Sequence, residues 1–171
     1  SLMPYLHVPM QACCDQTLVR MKRKYGMEEM AGFFDKAVKA VPSLCLGTDL
    51  MVGFPGESES DFEETCDRFL DLPFAYCHVF TFSEREGTPA AKMDKQVSVE
   101  ERRLRSTHLR RLSASKRMSF HENQLGKVFR VLLENPKDGF YSGYTDHYVR
   151  VVVPEAPRGL ENRMALIKMK K

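Results

Sequence analysis

The segment from Thr48 to Glu57 has the composition best suited to contact a small ligand. It reads Thr-Asp-Leu-Met-Val-Gly-Phe-Pro-Gly-Glu and lies where an apolar run ends before a helical pattern begins. Gly53 and Gly56 lack a Cβ atom, so the backbone there can approach a flat or phosphate-bearing molecule. Glu57 lies near the next helix N-terminus, where a carboxylate is favoured. A tight strand-to-helix turn with a structural acidic residue explains the same pattern and stays open as an alternative.

Polar residues also follow the first predicted strand. His7, Pro9 and Gln11 alternate along it, which places them on one face of the strand and points two polar groups inward. A satisfied core histidine is the alternative interpretation. Cys13 and Cys14 are adjacent, and adjacent cysteines chelate one metal ion poorly, so we expect them to be small buried residues.

A third polar segment, residues 83–90, follows the last predicted strand of this part of the chain. Its arginine, Arg85, could bind a carboxylate or a phosphate through two parallel hydrogen bonds. The neighbouring Glu84 and Glu86 are equally typical of a solvated loop. One basic residue in a loop does not decide between the two.

These three segments need a scaffold, and the apolar pattern of residues 1–121 predicts one. Short apolar runs alternate with amphipathic ones, which is typical of β/α units around a parallel sheet. The predicted strands are 5–10, 44–52 and 76–82, and three of the predicted helices are 15–24, 30–41 and 98–123. A further helix should start with a Ser60–Glu63 capping box and bury Leu70. Three units cannot close a barrel, so the sheet should keep an unpaired edge on its N-terminal side.

The pattern changes near residue 122. Residues 122–171 contain short apolar segments separated by Gly, Pro and Asn turns, at 128–134, 140–144, 148–153 and 164–168. Such spacing predicts a small β-barrel or roll. We therefore expect a domain boundary there, with residues 1–121 in one unit and 122–171 in the other.

The composition limits the classes of protein. The chain has 171 residues with 26 basic and 23 acidic side chains, and residues 121–171 hold 9 of the basic and 6 of the acidic ones, which accounts for the whole net charge of +3. The longest nearly apolar run, 74–82, is far below the roughly 18 residues that span a membrane. Five cysteines without a C-x-x-C pair argue against a disulfide framework or a zinc ribbon and favour the reducing cytoplasm. The opening Ser1-Leu2, without Met, predicts a piece of a longer protein.

Taken in order, the segments resemble the radical-SAM methylthiotransferases. The matching pieces are His-x-Pro-x-Gln (7–11), the run 18–25 with Met-Lys-Arg, the 48–57 segment with Asp-Phe-x-x-Thr (61–65), Arg-Glu-Gly-Thr-Pro-Ala (85–90) and Gly-Tyr-Thr-Asp-His-Tyr (143–148). The last piece, together with His-Val-Phe (78–80), is most similar to the subgroup that acts on threonylcarbamoyl-adenosine beside the tRNA anticodon.

The resemblance implies an α/β fold: the C-terminal half of a partial (β/α) radical-SAM barrel with a trailing long helix, followed by a small all-β TRAM-like barrel. It also implies a reaction in which a reduced iron–sulfur cluster cleaves S-adenosylmethionine and a methylthio group is added to C2 of an adenine. The cofactors would be S-adenosylmethionine and two 4Fe-4S clusters, served by an electron donor. The implied cofactor-binding residues are Gln11, Asp49, Val52, Gly53, Glu57, Phe82 and Arg85.

Two departures from the family pattern limit what this chain can do by itself. Residues 11–14 read Gln-Ala-Cys-Cys where the family has Gln-Ser-Gly-Ser. The cluster motif Cys-x-x-x-Cys-x-x-Cys does not occur in the sequence, and thiolates are the cluster ligands. We therefore expect an enzyme as the parent protein, no catalytic or metal-ligating residue in this chain, and no activity of the fragment alone.

The basic tail predicts an RNA partner, which the resemblance identifies as the tRNA anticodon loop. Cations beside aromatic rings suit single-stranded RNA, because bases stack on rings while phosphates meet Lys and Arg. The candidate RNA-binding residues are Lys127, Arg130, Lys137, Tyr144 and Arg150. The alternative is that the aromatic rings form the barrel core and the cations its solvated face.

Other functions remain open at this point. A sister enzyme could modify isopentenyl-adenosine in tRNA or an aspartate of a ribosomal protein. A chain that starts at Met3 could be a non-catalytic RNA-binding adaptor. A fragment of a β/α hydrolase would need a nucleophile elbow, and the sequence contains no G-x-S-x-G.

Overall fold

The computed structural model describes residues 3–154, 157 and 159–170, so Ser1 and Leu2 lie outside the described part. The α-helices and β-strands are, in chain order, β1 (Tyr5–His7), α1 (Asp15–Arg20), α2 (Met27–Ala40), β2 (Cys45–Val52), α3 (Glu59–Asp71), β3 (Tyr76–Thr81), α4 (Val99–Glu122), β4 (Val128–Leu133), β5 (Tyr141–Thr145), β6 (Arg150–Val153) and β7 (Met164–Lys168). Within these ranges, no helix combines the length and the apolar character that crossing a membrane requires.

The first three strands form a parallel sheet in the order β1-β2-β3, which confirms the α/β class. Side chains alternate between its two faces. One face packs against the helices: Leu46, Leu50 and Val52 of β2 are fully buried there with Phe34 and Phe69. The other face, called the uncovered face below, carries Tyr5, His7, Asp49, Tyr76 and His78. Within the described residues, only its N-terminal end is packed by a helix, through Phe120 and Arg117 of α4.

The start of α3 differs from the prediction. Ser58, not Ser60, caps this helix: its hydroxyl accepts from Asp61 N at 3.1 Å, and the Asp61 carboxylate accepts from Ser58 N at 2.9 Å. The prediction of a Ser60–Glu63 box was wrong because Ser60 lies inside the helix. Leu70 is exposed rather than buried.

The sequence spacing places Leu104, His108 and Leu112 on one face of helix α4 and most of its arginines elsewhere, but the structure buries a different set of side chains. Leu104 is exposed, and the buried residues of α4 are Arg102, Arg105, Ser106, Leu109 and Ser113. The buried arginines are tolerated because their guanidinium groups meet carboxylates and carbonyl oxygens. The buried Ser113 hydroxyl is also satisfied, since it accepts from Cys77 N (2.9 Å) and donates to Cys77 O (2.8 Å) of β3.

The last four strands form an antiparallel sheet in the order β6-β5-β4-β7. Its inner face buries Val131, Leu133, Tyr141 and Val151. The outer face presents Tyr144 between Leu132 of β4 and Arg150 of β6. Helix α4 ends at Glu122 and β4 begins at Val128, so the chain changes from helix to antiparallel sheet close to the predicted boundary.

Candidate functional site

The uncovered face of the parallel sheet brings together one carboxylate and two imidazoles. Asp49 of β2 is paired in register with His78 of β3, and His7 lies at the end of β1. Asp49 Oδ1 is 2.9 Å from His7 Nε2 and 3.2 Å from His78 Nδ1. The two histidine rings stack with centroids 5.1 Å apart. All three side chains project from hydrogen-bonded strands, so their spacing is set by the sheet.

Two tyrosines extend this cluster toward the N-terminal ends of the strands. Tyr76 Oη lies 3.3 Å from His7 Nδ1 and 2.7 Å from Tyr5 Oη. Gly47 makes this convergence possible, because a Cβ atom there would overlap the Tyr76 ring and His7 Nδ1. Burial, and then the hydrogen bond to Tyr5, raise the pKa of the Tyr76 phenol, so the hydroxyl stays protonated.

The loop after β2 is bound to helix α4 through the Glu57 side chain. Glu57 has a buried side chain whose Oε2 accepts from Gly53 N and from Arg105 Nη1, the latter at 2.9 Å. Burial raises the pKa of the Glu57 carboxyl, whereas the hydrogen bonds from Gly53 and Arg105 act in the opposite direction. Arg105 also binds Glu59 and Glu101, each at 3.0 Å. This loop is therefore fastened to α4 through a buried ion pair.

A second arginine of α4 packs under the same loop. Gly53 has φ +75°, and a Cβ atom there would overlap Cγ of Arg102. The Arg102 guanidinium lies over the Phe82 ring (5.2 Å) and donates to Phe82 O at 3.2 Å. The space left by the missing Cβ at Gly53 is therefore filled by the Arg102 side chain and is not open to a ligand.

The structure divides the seven predicted cofactor residues into two groups. Four of them are buried on the helix side of the sheet or in the loops that follow its strands: Val52, Gly53, Glu57 and Phe82. The other three have solvent-accessible side chains: Gln11, Asp49 and Arg85. Gln11 lies beside β2, bridged to Leu50, with φ +74°. The role of all seven in holding a cofactor stays a prediction.

Sequence reasoning missed Arg102 and Arg105 as parts of this site. They lie three positions apart on α4, and the only signal was an excess of arginine in 98–120, which is equally typical of a solvated helix face. His78 was noticed only through the resemblance. Its register opposite Asp49 depends on strand pairing, which one sequence does not reveal.

The cysteines of this chain do not form an iron–sulfur site. All five are buried free thiols, and they do not converge among the described residues. Burial raises the pKa of the Cys45 and Cys77 thiols to about 11 and that of Cys66 to about 12, which disfavours the thiolate that a cluster needs. The described residues therefore do not fit a 4Fe-4S cluster.

Aromatic rings connect the antiparallel sheet to the parallel one. Tyr148 stacks on Tyr144 (4.7 Å between centroids) and also packs on Tyr5 (4.7 Å). The Arg150 guanidinium lies over the Tyr144 ring at 5.8 Å. Next to these rings is a cavity of about 240 Å³. Its lining contains histidines and two arginines but no carboxylate: Cys45, Ala75, Tyr76, His78, Arg117, Phe120, His121, Tyr144, Tyr148, Val149 and Arg150.

The predicted RNA-binding residues are only partly brought together. Tyr144 and Arg150 are neighbours on the outer face of the antiparallel sheet. Arg130 points to the same face but is paired with Asp146 at 2.9 Å. Lys127 precedes β4, and Lys137 lies in the turn between β4 and β5, where its backbone pairs with Phe140.

The sequence of this chain was compared with those of known proteins and protein families. No family model matches the chain. Threonylcarbamoyladenosine tRNA methylthiotransferase MtaB of Bacillus subtilis (strain 168) is 38% identical over 157 residues, which is 89% of this chain and 35% of that protein. The tRNA-2-methylthio-N(6)-dimethylallyladenosine synthase of Maricaulis maris (strain MCS10) is 38% identical over 136 residues, 80% of this chain and 30% of the relative.

A second synthase of the latter name, from Streptomyces griseus subsp. griseus, is 38% identical over 144 residues, 81% of this chain and 28% of its own length. The chain thus spans about a third of the length of the curated relatives that it matches. These matches confirm the resemblance drawn from the ordered motifs.

Proposed function

This chain belongs to the tRNA methylthiotransferase family, and on that premise we propose that it works as part of an enzyme that adds a methylthio group to an adenosine of tRNA. The observation that carries the proposal is 34–38% identity to such enzymes over about 80% of the chain. The polar loops that follow β2 and β3 support it, because such folds place their reactants at the C-terminal ends of the parallel strands. The setting that we propose is the cytoplasm, because the five cysteines are free thiols, as a reducing compartment favours.

We favour threonylcarbamoyl-adenosine as the acceptor base. The relative named for that base covers 89% of this chain, whereas the two synthases named for dimethylallyladenosine cover 80% and 81% at the same identity. The additional coverage, and the His-Val-Phe segment at 78–80, both point to this acceptor.

The acceptor is tested by mass spectrometry of tRNA nucleosides from cells that lack the gene. We expect methylthiolated threonylcarbamoyl-adenosine to disappear and its unmodified precursor to accumulate. Loss of the methylthio form of isopentenyl-adenosine instead, or of a ribosomal methylthio-aspartate, would replace the acceptor and keep the reaction class. Normal levels of all three products would contradict the proposed function.

We propose direct cofactor contacts only for predicted residues whose side chains reach solvent. Gln11 and Arg85 reach solvent beside the C-terminal ends of β2 and β3, so they are placed to meet S-adenosylmethionine, which supplies the radical when bound. Glu57 and Gly53 would act one step away, by holding the loop against α4. The two 4Fe-4S clusters and the electron donor would engage parts of the protein outside this chain.

The junction of the two sheets is the surface that we propose for RNA. The exposed Tyr148 stacks on the half-buried Tyr144 beside Arg117 and Arg150, and such a surface suits the flat bases and the phosphates of single-stranded RNA. Base stacking contributes about 1–3 kcal/mol per base on alanine substitution. Tyr148→Ala should therefore weaken binding of an anticodon stem-loop RNA by roughly 5- to 150-fold.

Fluorescence anisotropy with the purified chain measures this effect. Arg150→Ala should also weaken binding and reduce its salt dependence by about one phosphate contact. Arg163→Ala is the charge-matched control, because Arg163 is exposed and does not line the junction cavity. Equal affinities for the Arg150→Ala and Arg163→Ala variants would show that only net charge attracts the RNA.

A further inference from the structure

We propose that His7, Asp49 and His78 form a binding site for one divalent first-row transition-metal ion on the uncovered face of the parallel sheet. Each residue offers one ligand atom, and the three atoms lie within 4.8 Å of one another. Both imidazoles approach the same atom, Asp49 Oδ1, at 2.9 and 3.2 Å. In a tetrahedral site with Zn–N bonds of 2.0–2.1 Å, neighbouring ligand atoms are about 3.3 Å apart. Small side-chain rotations are enough to admit an ion.

The chemistry of the donors identifies the class of ion. Two imidazoles and one carboxylate suit Zn²⁺, Fe²⁺, Co²⁺ or Ni²⁺, whereas Mg²⁺ and Ca²⁺ prefer sets made of oxygen atoms. Three protein ligands leave at least one coordination position for water or another small molecule. That position would face the open side of the sheet, since the His78 side chain is 54% exposed.

The groups around the cluster also match a metal site. A ligating histidine usually donates its second ring N–H to an oxygen, which fixes its orientation. His7 has this arrangement: Nε2 faces Asp49, and Nδ1 lies 3.3 Å from Tyr76 Oη. Tyr76 Oη can accept that proton and donate its own to Tyr5 Oη at 2.7 Å. In the structure His7 Nε2 donates to Asp49 Oδ1, so binding of an ion would require the ring proton to move to Nδ1, where Tyr76 Oη can accept it.

The backbone supports the same conclusion. Asp49 and His78 are directly paired between β2 and β3, and His7 pairs with Gly47, two residues before Asp49. A site on paired strands needs little reorganisation, because the strands hold the ligand spacing before the ion arrives. The assignment gives Asp49 a role different from the cofactor contact predicted from the sequence, and it does not depend on the proposed function.

Titration of the chelator-treated chain with Co²⁺ tests the site, because the visible spectrum of the ion reports its ligands. We expect one Co²⁺ per chain, with bands typical of nitrogen and oxygen ligands, and displacement by Zn²⁺. A strong sulfur-to-cobalt charge-transfer band would show that cysteines bind the ion and would overturn the proposal. So would the absence of any spectral change.

Variants locate the site, with binding followed by the same spectrum and by calorimetry. His78→Ala and Asp49→Asn should each weaken binding by more than about 100-fold, and Tyr76→Phe by roughly 10-fold, as for other second-sphere groups. His108→Ala is the control, since His108 is exposed on α4 and outside the cluster. Equal binding by the His78→Ala and His108→Ala variants would refute the assignment. If a variant misfolds, X-ray absorption of the Co²⁺-loaded wild type decides between nitrogen/oxygen and sulfur ligands.

Discussion

Replacing Glu57 with alanine removes the carboxylate that joins the loop after β2 to helix α4. Gly53 N loses its acceptor and Arg105 Nη1 loses one of its two, and both donors are buried. An unsatisfied buried donor costs about 1–3 kcal/mol. Breaking a buried ion pair by removing one partner costs about 3–5 kcal/mol. Arg105 keeps Glu59, Glu101 and the Glu57 carbonyl, so the free energy of unfolding should fall by about 3 kcal/mol, at the lower end of that range.

The matched control is Glu59→Ala, which removes a different partner of the same arginine. The Glu59 side chain is 62% exposed, so this change should cost less than about 1 kcal/mol. Urea denaturation followed by circular dichroism measures both values, and Tm should fall by about 6–12 °C for Glu57→Ala. If the two variants lose equal stability, the carboxylate does not hold the loop, and a direct ligand contact becomes the better interpretation of Glu57.

Three further predictions concern the same region. Gly53→Ala should destabilise the chain by more than Gly87→Ala, because both have a positive φ but only at Gly53 would a Cβ overlap a buried arginine; equal losses of unfolding free energy would contradict this. Ser58→Ala should cost about 1 kcal/mol and Ser60→Ala much less, since only Ser58 caps α3; the reverse order in urea denaturation would restore the sequence prediction. Asp61→Asn should lose most stability near neutral pH. Burial would raise the pKa of Asp61, but hydrogen bonds from Ser58 and Arg20 lower it below its usual 3.8. The wild type is therefore more stable than the variant above that value, and the difference disappears as pH falls through the lower folded pKa. A difference in unfolding free energy that does not change with pH would refute this.

Much of the fold could be predicted because it depends on local patterns. The near-continuous apolar run of β2 predicts a strand covered on both faces. The structure confirms the strand but not the double cover, because Asp49 and Met51 on the second face are only partly buried. Helix α4 shows the limit. Its packed face contains arginines whose acceptors come from Glu57, Glu59 and Phe82, far away in the sequence, so periodicity of apolar residues selects the wrong face.

The candidate site shows a similar division. The segment 48–57 was recognisable from its glycines and carboxylates, but its chemistry depends on which side of the sheet each residue faces. Asp49 points to the uncovered face and Glu57 to the helices, although only eight positions separate them. Pairing of Asp49 with His78 follows from the register of β2 and β3, and that register is a tertiary property.

Complementation in cells links tRNA modification to this chain's own residues. Cells that lack the gene are complemented with the full-length wild type, with a Tyr148→Ala/Arg150→Ala variant or with the Arg163→Ala control, and the methylthio-adenosines of their tRNA are quantified. We predict full restoration by the wild type and the control. At equal protein abundance, the double variant should restore at most about a tenth of that level, in line with the loss of a stacking contact. Equal restoration by all three would contradict the claim that the junction of the two sheets brings tRNA to the enzyme.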